Sequence, residues 1–340
     1  MISFRNDYSE GALPQVLQAL TDTNFEATCG YGCDEYCARA ADTVRSRFAC
    51  PTADVHLMVG GTITNLTAIA ASLRPYQAVI TVTSAHINLH ETGSIEAGGH
   101  KILCADAPDG KLTPQMVRRI LREHQYGKNE HMVQPKLVYI SDATELGTIY
   151  TKSELTALRA VCDEYGLYLY LDGARLAPAL VAEGNDLAPE DFAQLCDAFY
   201  IGGTKNGLLF GEALVIVNDA LKPDFRHMIK QRGGMFAKGR LLGVQFLAYF
   251  EDDLWLTAAR HAVLAAQRIA RAFTQAGYRL LADSPTNQIF PIVSNEKMAE
   301  LAKTFIFEEN APVGETHTAI RFVTSWATKD ADVDALVQAL

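Results

Sequence analysis

The sequence contains no long apolar run. None of its hydrophobic stretches approaches the roughly 18 residues that cross a bilayer, and Met1-Ile2-Ser3-Phe4-Arg5-Asn6-Asp7 holds no apolar leader core. A cytoplasmic protein with no membrane partner is expected. Positive charge is also in deficit, with 30 Lys and Arg against 40 Asp and Glu and a net charge of −10. Such a surface has no general attraction for phosphate backbones, so nucleic acid is not an expected partner. Cysteines number seven, an odd count that, without a secretory signal, reads as reduced thiols rather than a disulfide framework. Their one cluster, Cys29-x3-Cys33-x3-Cys37, matches no common zinc or iron–sulfur spacing and is followed by no second Cys/His pair, so no metal is expected. Repeats and low-complexity tracts are missing as well, which leaves a globular chain.

What is present suits a large core. Of the 340 residues 49% are apolar, enough for a chain of about two domains. From residue 50 onward, short β-rich runs alternate with helical patterns. The runs are Val55–Val59, Ala78–Thr83, Leu137–Ser141, Leu167–Leu171, Phe199–Gly202 and Ala213–Val217. Thr62–Leu73, Thr113–Glu123 and Ser153–Tyr165 read as helices between them. This alternation predicts an α/β unit with a mainly parallel sheet covered on both faces, and ligands at the carboxyl ends of its strands. After about Gly243 the pattern changes to one long helix, Leu254–Ala276, then strands at Asn287–Val293 and Ile320–Thr324 and a terminal helix. The expected division is therefore a large domain over 1–243 and a smaller α+β domain over 244–340. Gly277 suits a positive-φ cap after the long helix, Tyr126–Lys136 reads as a surface loop, and Val333–Leu340 stops in mid-helix.

Four features at strand ends carry chemistry together. Gly60-Gly61-Thr62 joins a strand to a helix, where free N–H groups and the positive helix end favour a phosphate; an ordinary turn is the other reading. No G-x-x-x-x-G-K-S/T occurs, and Gly30-x-Gly32-x-x-Glu35 fails the dinucleotide pattern at its third glycine. Asp172 ends the run Leu167–Leu171 and needs a cation or other partner if buried. Either it pairs with Arg175, or it meets a protonated heterocyclic nitrogen and leaves Arg175 to grip a carboxylate with two parallel hydrogen bonds. Lys205 follows the strand Phe199–Ile201 among glycines that leave room for a ligand near its amine; it is either a solvated lysine or a Schiff-base nucleophile. His86 lies three residues past another strand, and with His90 lacks a third metal ligand, so a ring that stacks on a planar cofactor fits better. Phosphate cradle, stacking ring, Asp for a ring nitrogen and amine Lys form the set that pyridoxal phosphate requires.

The chain resembles the threonine aldolases of the β-eliminating lyase group. The resemblance runs from Phe4-Arg5-Asn6-Asp7 through Gly60-Gly61-Thr62, His86, Asp172-Gly173-Ala174-Arg175 and Thr204-Lys205 to Ile320-Arg321-Phe322-Val323-Thr324. It implies the fold-type I pyridoxal-phosphate architecture, aminotransferase-like, with a mainly parallel seven-stranded sheet between helices and a smaller C-terminal α+β domain. It implies that Lys205 carries the cofactor aldehyde as an imine, Asp172 pairs with the pyridine nitrogen, and His86 stacks on the ring. Gly61, Thr62 and Thr204 would bind the phosphate, Arg175 and Arg321 would hold the substrate carboxylate, and Asn6, which stands where the family usually has serine, would be a further substrate-binding residue. Lys230, in Lys230-Gln231-Arg232-Gly233-Gly234-Met235, would reach the neighbouring subunit's phosphate, making a homo-oligomer (dimer or tetramer) with the site at a subunit interface. Where the family commonly has Glu-Asn-Thr-His, this chain has Asp142-Ala143-Thr144-Glu145, so Glu145 takes the place of the histidine near the substrate hydroxyl, as a base, as a mark of another substrate, or as a turn residue. The implied reaction cleaves the Cα–Cβ bond of threonine or allo-threonine to glycine and an aldehyde. β-Elimination or transamination of another amino acid is the alternative on the same scaffold, and a non-catalytic binding module is the alternative outside it.

Overall fold

Seven strands form the central sheet of the computed structural model, which describes all 340 residues. They are β2 (Asp54–Met58), β3 (Gln77–Val82), β4 (Lys101–Ala105), β5 (Gln134–Ser141), β6 (Tyr168–Asp172), β7 (Ala198–Gly202) and β8 (Glu212–Ile216), in the spatial order β2-β8-β7-β6-β5-β3-β4. All run parallel except β8, which is antiparallel to both β2 and β7. Strands covered on both faces need apolar side chains throughout, and β7 and β8 are buried at every position. Six of the seven are the runs legible in the sequence; β4 is an edge strand with Lys101 exposed.

The covering helices start where capping chemistry places them. α3 (Gly61–Ser72), α6 (Pro114–Glu123) and α7 (Lys152–Tyr165) match the expected segments to within a residue. The Thr113 hydroxyl accepts the Met116 N–H to cap α6, and Thr151 with Glu154 forms a reciprocal capping box on α7. α3 has no side-chain cap at its N-terminus. Helices not assigned from the sequence are α1 (Pro14–Asp22), α2 (Glu35–Arg47), the single turns α4 (His86–Leu89) and α5 (Ser94–Ala97), α8 (Leu176–Leu180), α9 (Pro189–Leu195), α10 (Phe225–Gln231), α11 (Arg240–Phe250) and, in the C-terminal layer, α13 (Asn295–Leu301). No helix is long and apolar enough to cross a membrane.

The C-terminal layer begins along α12 (Leu254–Gln275). Trp255, Ala258 and Ala259 of α12 belong to the large core, whereas Ala265, Ile269 and Phe273 belong to a second, smaller one. A five-stranded antiparallel sheet follows, made of β9 (Arg279–Leu280), β10 (Gln288–Ile289), β11 (Pro291–Ser294), β13 (Glu308–Val313) and β14 (His317–Val323), with α13 (Asn295–Leu301) and α14 (Asp330–Gln338) against it. The strand expected over Asn287–Val293 is therefore two short ones, with Phe290 between them. Gly277 has φ +89°, as its position after α12 requires. Residue 243 lies inside α11, and β1 (Ile2–Ser3) at the other end of the chain pairs with β12 (Phe305–Ile306), so the N-terminal residues start in the C-terminal layer.

Aromatic packing holds that layer together. The Phe322 ring lies 5.9 Å from Phe4, 5.5 Å from Phe273 and 5.2 Å from Phe307, centroid to centroid. Phe322→Ala should cost about 3–5 kcal/mol, read as a lowered urea midpoint, and Phe322→Leu clearly less; equal effects of the two would show that ring packing is not what matters there.

Candidate active site

Asp172 closes β6 with its side chain buried. A carboxylate in that position must be matched by donors, and it has four. Tyr139 Oη and Asn65 Nδ2 donate to Oδ2 at 2.5 and 2.9 Å, while Tyr200 Oη and the Ala174 N–H donate to Oδ1 at 2.5 and 3.0 Å. Burial by itself would raise this carboxyl, but the nearby His86 charge and the hydrogen bonds outweigh it and hold Asp172 below the usual value. The Asp172–Arg175 pair that the sequence allowed does not form.

Asn65 ties Asp172 to the histidine. Its amide also donates to Glu91 Oε1 at 2.8 Å, and the same oxygen bonds His86 Nδ1 at 2.8 Å. Burial lowers the affinity of His86 for a proton, but Glu91, Glu145 and Asp172 more than offset this and raise it above the ordinary value. Lys205 sits on the short turn after β7 and faces the same cleft of about 180 Å³, together with Gly60, Gly61, Thr62, Asn65, His86, Glu145, Asp172, Tyr200, Thr204 and Glu212. The glycines beside Lys205, expected to leave room for a ligand, are instead filled by protein. A Cβ on Gly202 would lie 2.3 Å from the Ala174 carbonyl oxygen, and one on Gly203 2.3 Å from Leu208 Cδ1. The open glycine is Gly60, before α3, where a Cβ would meet nothing within 4 Å.

The expected carboxylate-binding residues are placed differently. Arg175 Nε and Nη2 donate to Asp7 at 2.7 and 3.1 Å, so the parallel pair of hydrogen bonds foreseen for a substrate goes to Asp7. Both side chains are buried, and Asn287 Nδ2 adds a third donor to Asp7 at 3.0 Å. Arg321 pairs with Glu308, keeps a buried Nε without a partner, and does not line the cleft. Asn6 Oδ1 accepts the Tyr8 N–H and the Ser9 hydroxyl. Lys230 lies over the Tyr31 ring at 4.4 Å, also outside the cleft.

An amine, a held carboxylate, an aromatic ring and an uncapped helix start therefore meet at the strand ends. The sequence family described as beta-eliminating lyase matches residues 4–296. The chain belongs to the beta-eliminating lyase family. Low specificity L-threonine aldolase of Pseudomonas aeruginosa is 34% identical to it over 333 residues, covering 96% of this chain and 93% of that protein. A solved Leishmania major threonine aldolase is 47% identical, with a TM-score of 0.97 over 99% of this chain and 98% of that one. An aspartate aminotransferase of Thermus thermophilus, at 13% identity and a TM-score of 0.73 over 100% of this chain and 90% of its own, shares the fold. This beta-eliminating lyase is accordingly an enzyme, with the aminotransferase-like architecture.

Asn65, Tyr139, Tyr200 and Glu212 were not singled out from the sequence of this lyase, and Asp7 and Glu91, though present in the motifs, were given no role. Tyr139 stands in register with Tyr170, near the Asp172 end of β6, a relation that only the sheet pairing reveals. The Asp7–Arg175 pair also sets a stability test. Burial would raise the Asp7 carboxyl, but the charges of Arg175 and Lys205 dominate and hold it below its usual value. A group depressed in the folded state stabilises above its unfolded pKa and loses that contribution as the pH falls through the folded one. Asp7→Asn should therefore destabilise by about 3–5 kcal/mol at neutral pH, a gap that narrows as urea unfolding is repeated below about pH 4. A gap that does not change with pH would show that the charge pair is not its source.

Proposed function

We propose that this lyase uses pyridoxal phosphate to cleave the Cα–Cβ bond of threonine or allo-threonine, releasing glycine and an aldehyde. The observation that carries the reading is Asp172, held ionised by four donors in the same cleft as the Lys205 amine. The relatives named threonine aldolase support the substrate. The residues fit the cofactor: α3 begins at the cleft without a side-chain cap, beside the open space at Gly60. When bound, pyridoxal phosphate supplies an aldehyde for the Lys205 amine and a protonated ring that withdraws electrons from the bond being broken.

The chain's own residues do the rest. Asp172 keeps the ring-nitrogen proton in place, and its four donors keep Asp172 ionised while it does so. The N–H groups of Gly61 and Thr62 bind the phosphate at the helix start, with Thr204 beside them. His86, fixed through Nδ1 by Glu91, presents its ring to the cofactor. Arg175, with Nε and Nη2 engaged by Asp7, offers Nη1 to the substrate carboxylate, whereas Arg321 serves it only if it leaves Glu308. Glu145, whose carboxylate has no hydrogen-bond partner in the cleft, accepts the proton of the substrate β-hydroxyl. Orientation of the breaking bond supplies much of the acceleration.

A second copy of the chain completes the site in this reading, as a dimer or a tetramer of dimers. Its support is the exposed aromatic pair beside Lys230: Tyr31, over whose ring Lys230 lies, and Phe236, which lines the same cavity as Tyr31. Incubation with threonine should yield glycine and acetaldehyde, whereas ammonia and a keto acid would overturn the assignment in favour of elimination. The purified protein should show a band near roughly 420 nm that borohydride removes and that Lys205→Ala lacks. A protein that stays colourless with added pyridoxal phosphate would overturn the cofactor.

A further inference from the structure

Glu212 has no part in the chemistry above, yet it is 4% exposed on the wall of the cleft. It opens β8, and because β8 runs against its neighbours, its first residue stands in register with the last residues of β2 and β7, Met58 and Gly202. That is the edge where the start of α3 and Thr204 meet. Glu212 Oε2 accepts the Gly203 N–H at 3.0 Å, and Oε1 accepts the Thr204 hydroxyl at 2.7 Å. Thr204 Oγ1 in turn accepts the Gly211 N–H at 3.0 Å.

A hydroxyl has a single hydrogen to give. While Glu212 is ionised, that hydrogen is committed to the carboxylate, and Thr204 has only a lone pair left for the cleft, which a phosphate oxygen cannot use. A protonated Glu212 reverses the bond: its O–H donates to Thr204 Oγ1, whose two lone pairs are then filled by Glu212 and Gly211, and the Thr204 hydrogen turns to the cleft. We propose that Glu212 is a proton-linked positioning residue of the phosphate site, taking one proton from solvent as the phosphate settles and thereby turning the Thr204 hydroxyl onto it. The inference rests on the cofactor reading given above.

The surroundings of Glu212 agree with such a role. Burial pushes its carboxyl up to about 7, with Lys205 opposing the rise and Asp172 adding to it. The other titratable groups around it are the phenols Tyr170, Tyr200 and Tyr249, all pushed above their usual value by burial and therefore neutral. An arriving phosphate adds negative charge and favours the proton further.

The test uses the full chain stripped of cofactor and titrated with pyridoxine 5′-phosphate, which has the ring and phosphate but no aldehyde for Lys205. Calorimetry in two buffers of different ionisation heat counts the protons taken up. At about pH 8, one unit above the Glu212 value, the wild type should take up close to one proton more than Glu212→Gln, whose amide donates to Thr204 permanently. Wild-type affinity should fall by up to about tenfold per pH unit above 7, and that of the variant by clearly less. In a Thr204→Val background the Gln substitution should no longer raise affinity at pH 8. Equal proton counts in wild type and Glu212→Gln, or equal gains with and without the Thr204 hydroxyl, would overturn the proposal. If Glu212→Gln does not fold, Thr204→Val becomes the reference: any proton of the ring nitrogen is common to both proteins, so a wild-type count close to one above that of Thr204→Val supports the proposal and equal counts overturn it. Absence of binding at every pH would overturn the cofactor reading together with it, whereas binding without the proton would overturn this inference alone.

Discussion

An ionised carboxylate buried at the end of β6 is the constraint on which the site depends. Leaving Asp172 without donors in that setting would cost several kcal/mol or drive it to take up a proton. The donors come from three separate elements besides its own turn: Tyr139 on β5, Tyr200 on β7 and Asn65 on α3. Each is placed by its own element, so the sheet register and the packing of α3 are part of the electrostatics. The glycines serve the same end. A Cβ on Gly173 would fall 1.9 Å from the Tyr200 carbonyl oxygen, so only glycine lets the turn after β6 run close enough to β7 for Tyr200 to reach Asp172.

A second constraint joins the layers. Asp7 lies just beyond β1, which pairs with β12 of the C-terminal layer, Arg175 follows β6 of the central sheet, and Asn287 precedes β10. One buried carboxylate thus receives donors from two distant parts of the chain, 168 and 280 residues away. Buried charge pairs fix geometry more reliably than they add stability. Here the geometry fixed is that of the Arg175 guanidinium, since Asp7 engages Nε and Nη2 and leaves only Nη1 without a protein partner.

Much of this was legible before the structure. Alternating apolar runs and helices located six strands of the sheet because parallel strands covered on both faces cannot hide polar residues in their interiors. Asp172 stood out for the same reason, as a charge at the end of five apolar residues. Arg175 was found but its partner was not, because nothing local marks Asp7 as the group it meets. Tyr139 and Tyr200 were hidden because a tyrosine in an apolar strand reads as core until the register puts its hydroxyl at a carboxylate. Glu212 was missed for a topological reason: a search of strand carboxyl ends assumes parallel strands, and in the one antiparallel strand the functional edge is the first residue.

The two buried carboxyls of the cleft show how the fold sets protonation. Asp172 and Glu212 are both buried, so desolvation pushes both upward. Asp172 has four donors and His86 nearby, and it ends below its usual value. Glu212 has two donors, Gly203 N–H and the Thr204 hydroxyl, and Asp172 as a like charge, and it ends up at about 7. The difference lies in donor count and in the order of ionisation, because a permanently charged Asp172 raises the cost of charging a second carboxyl in the same low-dielectric space. A group held negative and a group free to change charge are thus both available from one chemical type in one cleft. Which is which follows from how many hydrogen bonds the strands aim at each.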